Sequence, residues 1–134
     1  MFAPFKAQAS AYSNVHIETG VQDADPHQLV TLLLDGAIGA IGAAINAIEC
    51  GDIAAKCKAI AKAVAIVDEG LRVPLDRQAG GELAATLDQL YACVLLRLTK
   101  ANLHGDADGL RECSQLLTPM RDAWAAIKPQ RLAA

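Results

Sequence analysis

A chain of 134 residues with a formal net charge of −3 has the length of one domain and enough apolar material for a modest core of its own. Hydrophobic residues make up 53% but aromatics only 4%, so the core is aliphatic and alanine-rich, which favours close helix packing over a β-sandwich. The charge balance argues against a nucleic-acid binder, and Lys56, Lys58 and Lys62 read as a solvated helix face.

In chain order, residues 1–24 read as an irregular arm. Its isolated apolar residues Tyr12, Val15 and Ile17 are enough to dock on something but not to fold alone. Helix one starts sharply. Asp25 is a good N-cap, Pro26 suits the first turn, and Gln28 stands where a capping-box partner belongs. Its apolar stripe is Val30, Leu33, Ala37, Ile41, Ala44, Ile48, and Gly51 is a natural stop. Asp52 then caps helix two, whose stripe is Ile53, Cys57, Ile60, Val64, Val67, Leu71. That helix stops before Pro74, because the residue before a proline avoids helical angles. The segment from Pro74 to Gly81 reads as a loop that hands over to helix three at Glu82. The stripe of helix three is Leu83, Leu87, Leu90, Val94, Leu98, Ala101, ending at His104-Gly105. Helix four starts between Asp106 and Asp108, carries Leu110, Cys113, Leu117, Met120, Trp124, Ile127, and ends before Pro129.

None of these helices is stable alone in water, so each buries its stripe against the others. Short connections make consecutive helices antiparallel neighbours. The expected fold is all-α: an antiparallel up-down four-helix bundle over residues 25–128, with the arm at 1–24 and a tail at 129–134. Two places break local rules. Gly36, Gly39 and Gly42 lie inside helix one, each costing about 1 kcal/mol against alanine. They read as a close approach of a neighbouring helix, a tolerated weakness, or a shallow groove for a partner's backbone. Pro119 inside helix four removes a hydrogen bond to Gln115 and is expected to kink the helix.

Chemistry is looked for and not found. A di-iron bundle needs Glu-x-x-His on two helices. Glu49, Glu69, Glu82 and Glu112 are followed three residues later by Asp52, Arg72, Ala85 and Gln115. No phosphate-binding loop appears, since Gly80-Gly81 lacks the following Lys-Ser/Thr. Cys50, Cys57, Cys93 and Cys113 show no paired spacing, and the three histidines fall at no ligand spacing with them. The thiols read as small apolar residues, and no metal or cofactor is expected. The start of the chain lacks the pattern of a secretion signal, and Asp35, Glu49, Asp68 and Arg97 interrupt every apolar run, so a soluble cytosolic protein without membrane insertion is the expectation.

What remains is apolar surface beyond the stripes: Leu29, Leu32, Leu34, Ile38 and Ile45 on helix one, Ile66 on helix two, Tyr91 and Leu95 on helix three, and Leu116 on helix four. One reading is a broad buried face. The other is grooves that receive amphipathic helices of a partner, with Ala59 and Ala63 small enough to let a foreign helix come close.

Several motifs in order then become recognisable. Ala11-Tyr12 followed by Val15, Asp25-Pro26-His27-Gln28-Leu29, Leu33-Leu34-Asp35-Gly36-Ala37-Ile38, Gly51-Asp52-Ile53, Gly80-Gly81-Glu82-Leu83-Ala84, Leu90-Tyr91, Asn102, and Leu117, Arg121, Ala123-Trp124 together resemble the FliS family of flagellar export chaperones along nearly the whole chain. The chain departs from the family at Leu34, which replaces a motif tyrosine, and at Gly39, Gly42 and Pro119. The resemblance implies a cytosolic, non-enzymatic chaperone of type III flagellar export. It would bind the disordered C-terminal segment of flagellin and so prevent premature polymerisation. Other flagellar regulators or the export gate, and a second copy of the chain, are further partners it allows. Surplus apolar surface and motifs together give the candidate contact residues Tyr12, Leu34, Ala59, Ala63, Ile66, Tyr91, Leu95 and Asn102, with the site expected around helices two and three and the Tyr12 arm as an adjustable cover. A helical adaptor or scaffold acting through the same apolar surface is the alternative.

Overall fold

The computed structural model describes residues 25–127. The arm carrying Tyr12 and the tail lie outside the described residues. Four helices follow one another: α1 (Pro26–Glu49), α2 (Ile53–Ala65, continued by a π-helical segment Ile66–Arg72), α3 (Arg77–His104) and α4 (Ala107–Ala126), with no strand among the described residues. The fold is the expected all-α bundle. Its direction is legible in cross-helix contacts. His27 meets Trp124, Asp35 meets Arg121 and Glu49 meets Arg111, so α1 and α4 run antiparallel. Lys56 meets Asn102 and Arg72 meets Asp88, so α2 and α3 do too.

The helix starts follow the capping chemistry. The Asp25 side chain accepts the Gln28 N–H at 2.7 Å while the Gln28 side chain accepts the Asp25 N–H at 3.2 Å, a complete capping box. Asp52 and Asp106 cap α2 and α4 through the N–H groups of Ala55 and Gly109. Two Gly-Asp corners, Gly51-Asp52 and Gly105-Asp106, do double duty. The Asp52 N–H donates to the Ala47 carbonyl and the Asp106 N–H to the Ala101 carbonyl, which closes the helix just ended, and each aspartate then opens the next. Both corners lie at one pole of the bundle.

The core is aliphatic. Leu34, Ile41, Val67, Val94, Leu98, Leu110, Cys113 and Leu117 are the largest fully buried side chains, and alanines 37, 44 and 63 fill the gaps between them. Burying each large apolar side chain stabilises the fold by about 1.5–3 kcal/mol, which is what fixes four marginal helices in place.

Several expectations change. Helix three begins earlier than Glu82: Asp76 accepts the N–H groups of Gln78 and Ala79, so the first turn starts at Arg77. The chain then bends at Gly81, whose φ of 54° and ψ of −129° suit glycine alone. The buried face of α3 also differs from the expected stripe in its first turns. Leu83 is 64% exposed, and the stripe is Ala84, Leu87, Tyr91, Val94, Leu98, Ala101 instead. On α2 the stripe loses its first two members, because Ile53 is 70% exposed and Cys57 is exposed. Only Cys113 of the four cysteines is a core thiol.

The three glycines of α1 separate. A methyl group at Gly36 would stand 3.3 Å from the Ile66 Cδ1, whereas at Gly39 and Gly42 it would meet nothing within 4 Å. Close approach therefore explains Gly36 alone. At Pro119, α4 stays helical from Ala107 to Ala126. The proline and Gln115 are both exposed, so water can satisfy the carbonyl that lost its donor. By length and hydropathy α1 is apolar enough to cross a bilayer despite Asp35 and Glu49. Here its apolar stripe is instead the central seam of the bundle, packed against α2 and α4.

Candidate partner-binding surface

The residues singled out in the sequence fall into three groups. Leu34 is 1% exposed, Ala63 0% and Tyr91 3%, all within the core cluster. Burial pushes the Tyr91 phenol up to about 12. Ala59 and Ile66 are half-buried. At roughly 100° per residue they share the side of α2 that turns to α1, where the Ile66 methyl sits over Gly36. Leu95 and Asn102, also half-buried, line the opposite junction, between α3 and α2. The structure therefore does not gather the set into one groove. Tyr12 lies outside the described residues.

Apolar surface remains open along the α2–α3 junction, as it does at Val73 and Leu83 towards the other pole. Asn102 joins the two helices: its carbonyl accepts the Lys56 ammonium at 2.8 Å, and its side-chain oxygen faces the Cys57 thiol at 3.6 Å. Alongside run Ile53, Cys57 and Ala61 on α2 and Leu96, Thr99 and Leu103 on α3, all exposed. Leu103 is 78% exposed and Leu96 57%. Where the two Gly-Asp corners meet, a pocket of about 300 Å³ opens, lined by Ala47, Ile48, Ile53, Lys56, Leu103 and His104 together with the corner residues. Sequence periodicity misses this strip. Ile53 and Cys57 continue the α2 stripe perfectly, yet both are exposed although the end of α3 runs alongside them. Leu96 and Leu103, seven residues apart on one face of α3, are the signal that was available.

Charge is distributed unevenly around the bundle. Every arginine among the described residues, Arg72, Arg77, Arg97, Arg111 and Arg121, is in an ion pair. The lysines Lys56, Lys58, Lys62 and Lys100 all lie on the facing halves of α2 and α3 and take no carboxylate partner closer than 4.0 Å among the described residues.

At the opposite pole the recognisable motifs turn out to be structural. His27 and Trp124 stack with ring centroids 5.2 Å apart. The His27 Nε2 lies 2.7 Å from the Trp124 carbonyl, and the indole N–H donates to the His27 carbonyl at 3.0 Å. One turn further along, Arg121 holds Asp35 at 2.6 and 3.3 Å, and that hydrogen bonding raises the guanidinium above its ordinary value. Residues of the helix-one motif thus close on residues of the last-helix motif. Among the described residues no group of His, Cys, Asp and Glu is arranged to hold a metal ion.

Comparison with known proteins agrees with this arrangement. Residues 8–131 match the family described as "Flagellar protein FliS". The chain is 42% identical over 120 residues to the flagellar secretion chaperone FliS of Salmonella typhimurium, covering 90% of this chain and 89% of that protein. It is 41% identical over 116 residues to the flagellar secretion chaperone FliSB of Pseudomonas aeruginosa, covering 87% and 91%. It is 34% identical over 115 residues to FliS of Bacillus subtilis, covering 85% and 84%. With the motifs, the clasp they form and the bundle all in agreement, the chain belongs to the FliS family of flagellar secretion chaperones, a family of chaperones and not of enzymes.

Proposed function

We propose that this protein is a cytosolic chaperone of flagellar export that holds the disordered C-terminal segment of flagellin and so keeps it from polymerising before export. The observation that carries the reading is the open apolar strip along α2 and α3, with Ile53, Leu96 and Leu103 exposed on a bundle whose interior is otherwise well filled. A disordered amphipathic segment gains enough by burying its own apolar face on such a strip to offset its ordering entropy. Leu95 and Asn102 are the proposed direct contacts from the expected set. Ala59, Ala63 and Ile66 set how closely α2 approaches α1, and Leu34 and Tyr91 belong to the core that holds the helices in place. The arm with Tyr12 covers the strip until the client displaces it.

Calorimetric titration with the flagellin C-terminal segment of the same organism tests this. A stoichiometric complex with a large negative heat-capacity change is expected. Absence of binding by a folded, helical sample would overturn the reading. Deleting residues 1–24 should strengthen binding if the arm competes for the strip, and unchanged affinity would remove the cover from the proposal.

A further inference from the structure

The pole of the bundle at the two Gly-Asp corners has a chemical character of its own. Between Asp52 and Asp68, and again between Asp88 and Asp106, the chain contains no carboxylate. These are the halves of α2 and α3 that face each other. Asp52 and Asp106 at the corners are occupied in capping the N–H groups of Ala55 and Gly109. Lys58 and Lys100, one on each helix, are exposed beside the strip and lack ion-pair partners among the described residues. On the α2–α3 face of this end Lys56, Lys58, Lys62 and Lys100 thus outnumber the corner carboxylates Asp52 and Asp106, which stay charged while they cap, and these cations flank apolar surface. Arginines elsewhere on the bundle are neutralised in pairs.

The pocket between the corners, about 300 Å³, is at the small end for a ligand site. It has ample room for an aliphatic side chain. Its mouth is flanked by Ile53 and Leu103, two strongly exposed apolar residues. A second copy of this chain is a poor occupant. A two-fold contact sets the patch against itself and would bring the unpaired lysines of both copies together. An occupant with carboxylates meets no such repulsion.

We propose that the part of the export client lying across this pole is an acidic amphipathic helix, with one apolar side chain in the pocket between Ile53 and Leu103 and its carboxylates facing Lys58 and Lys100. This rests on the α2–α3 strip being the client surface, and it adds the polarity of the segment and the position of its anchor.

The test uses the full chain and the flagellin C-terminal segment of the same organism, titrated at low and at physiological salt. Leu103→Glu should weaken binding at least ~tenfold, while Leu103→Met leaves it near the parent value, as expected for an apolar anchor. The double variant Lys58→Glu/Lys100→Glu should weaken it at least ~tenfold at low salt and less at physiological salt. A segment with its Asp and Glu changed to Asn and Gln should bind more weakly and ignore the lysine changes. All the altered side chains are exposed, and circular dichroism checks that each variant keeps its helix content. If the segment binds the parent chain and both Leu103→Glu and the lysine double variant bind it equally well, this inference is wrong and the chaperone reading stands. If the segment does not bind the parent chain, the chaperone reading itself fails. A salt-sensitive complex that depends on the lysines but not on Leu103 would also overturn the anchor, leaving a purely electrostatic contact such as a nucleic acid would make.

Discussion

Cys113 and Tyr91 sit in the aliphatic interior, where a charge is expensive. Burial pushes the thiol up to about 11 and the phenol up to about 12, from ordinary values of 9.0 and 10.0. Because the folded chain keeps protons that the unfolded chain releases, their contribution is intact below about pH 9 and is lost as pH rises through about 11 and 12. Denaturation midpoints followed from neutral into alkaline solution should therefore fall, and fall less in Cys113→Ala than in the parent chain. A flat profile would contradict the burial. The same burial separates the four thiols: three should react promptly with a thiol reagent at neutral pH, and Cys113 only on unfolding. Trp124 offers a third residue-scale check. Trp124→Phe removes the indole N–H that donates to the His27 carbonyl, and should cost about 0.5–1.5 kcal/mol. As Trp124 is the chain's only tryptophan, its emission in the parent reports directly on when this contact opens.

At the level of the helix, α1 carries an avoidable weakness. Gly39 and Gly42 are exposed and a methyl group there meets nothing, so Gly39→Ala and Gly42→Ala together should stabilise the chain by about 1–2 kcal/mol. That is a rise of several degrees in Tm, readable by calorimetry. Gly81→Ala should do the reverse, costing about 1–3 kcal/mol, because its backbone angles exclude a side chain. These two outcomes mark where the sequence was and was not readable. Capping residues announce themselves: Asp25, Asp52 and Gly51 set the ends of α1 and α2 as expected. Asp76 is the same signal, yet it was masked by the Gly80-Gly81 pair that follows, which reads as a loop but makes a bend inside the helix. The face of α3 is a second difference. The pattern of Leu83, Leu87 and Leu90 is a good helical stripe, yet Ala84 and Tyr91 point inward and Leu83 does not, which packing against the other helices decides.

For the whole molecule, the bundle and its family were legible because four stripes, four caps and an ordered set of motifs all agree. The binding strip was not. Leu34 and Tyr91 belong to the core and Leu103 to the surface, and periodicity gives each the same weight. Which apolar residues are left over depends on how completely one helix covers another. Charge pairing between helices is similarly a property of the assembled bundle. Arg121 and Asp35 are both partly exposed, so a double-mutant cycle between them should give a small coupling that fades with added salt. A large coupling that persists at high salt would show that water is excluded from that seam.

The contact between His27 and Trp124 places the start of α1 beside the end of α4, so the chain enters and leaves the bundle at the same pole. A pulling force applied at the two ends therefore does not shear the helices along their lengths. It peels α4 from α1 one turn at a time, beginning with this single contact. The bundle is mechanically soft along that direction, and a modest tension on its ends would dismantle it stepwise from the clasp inward.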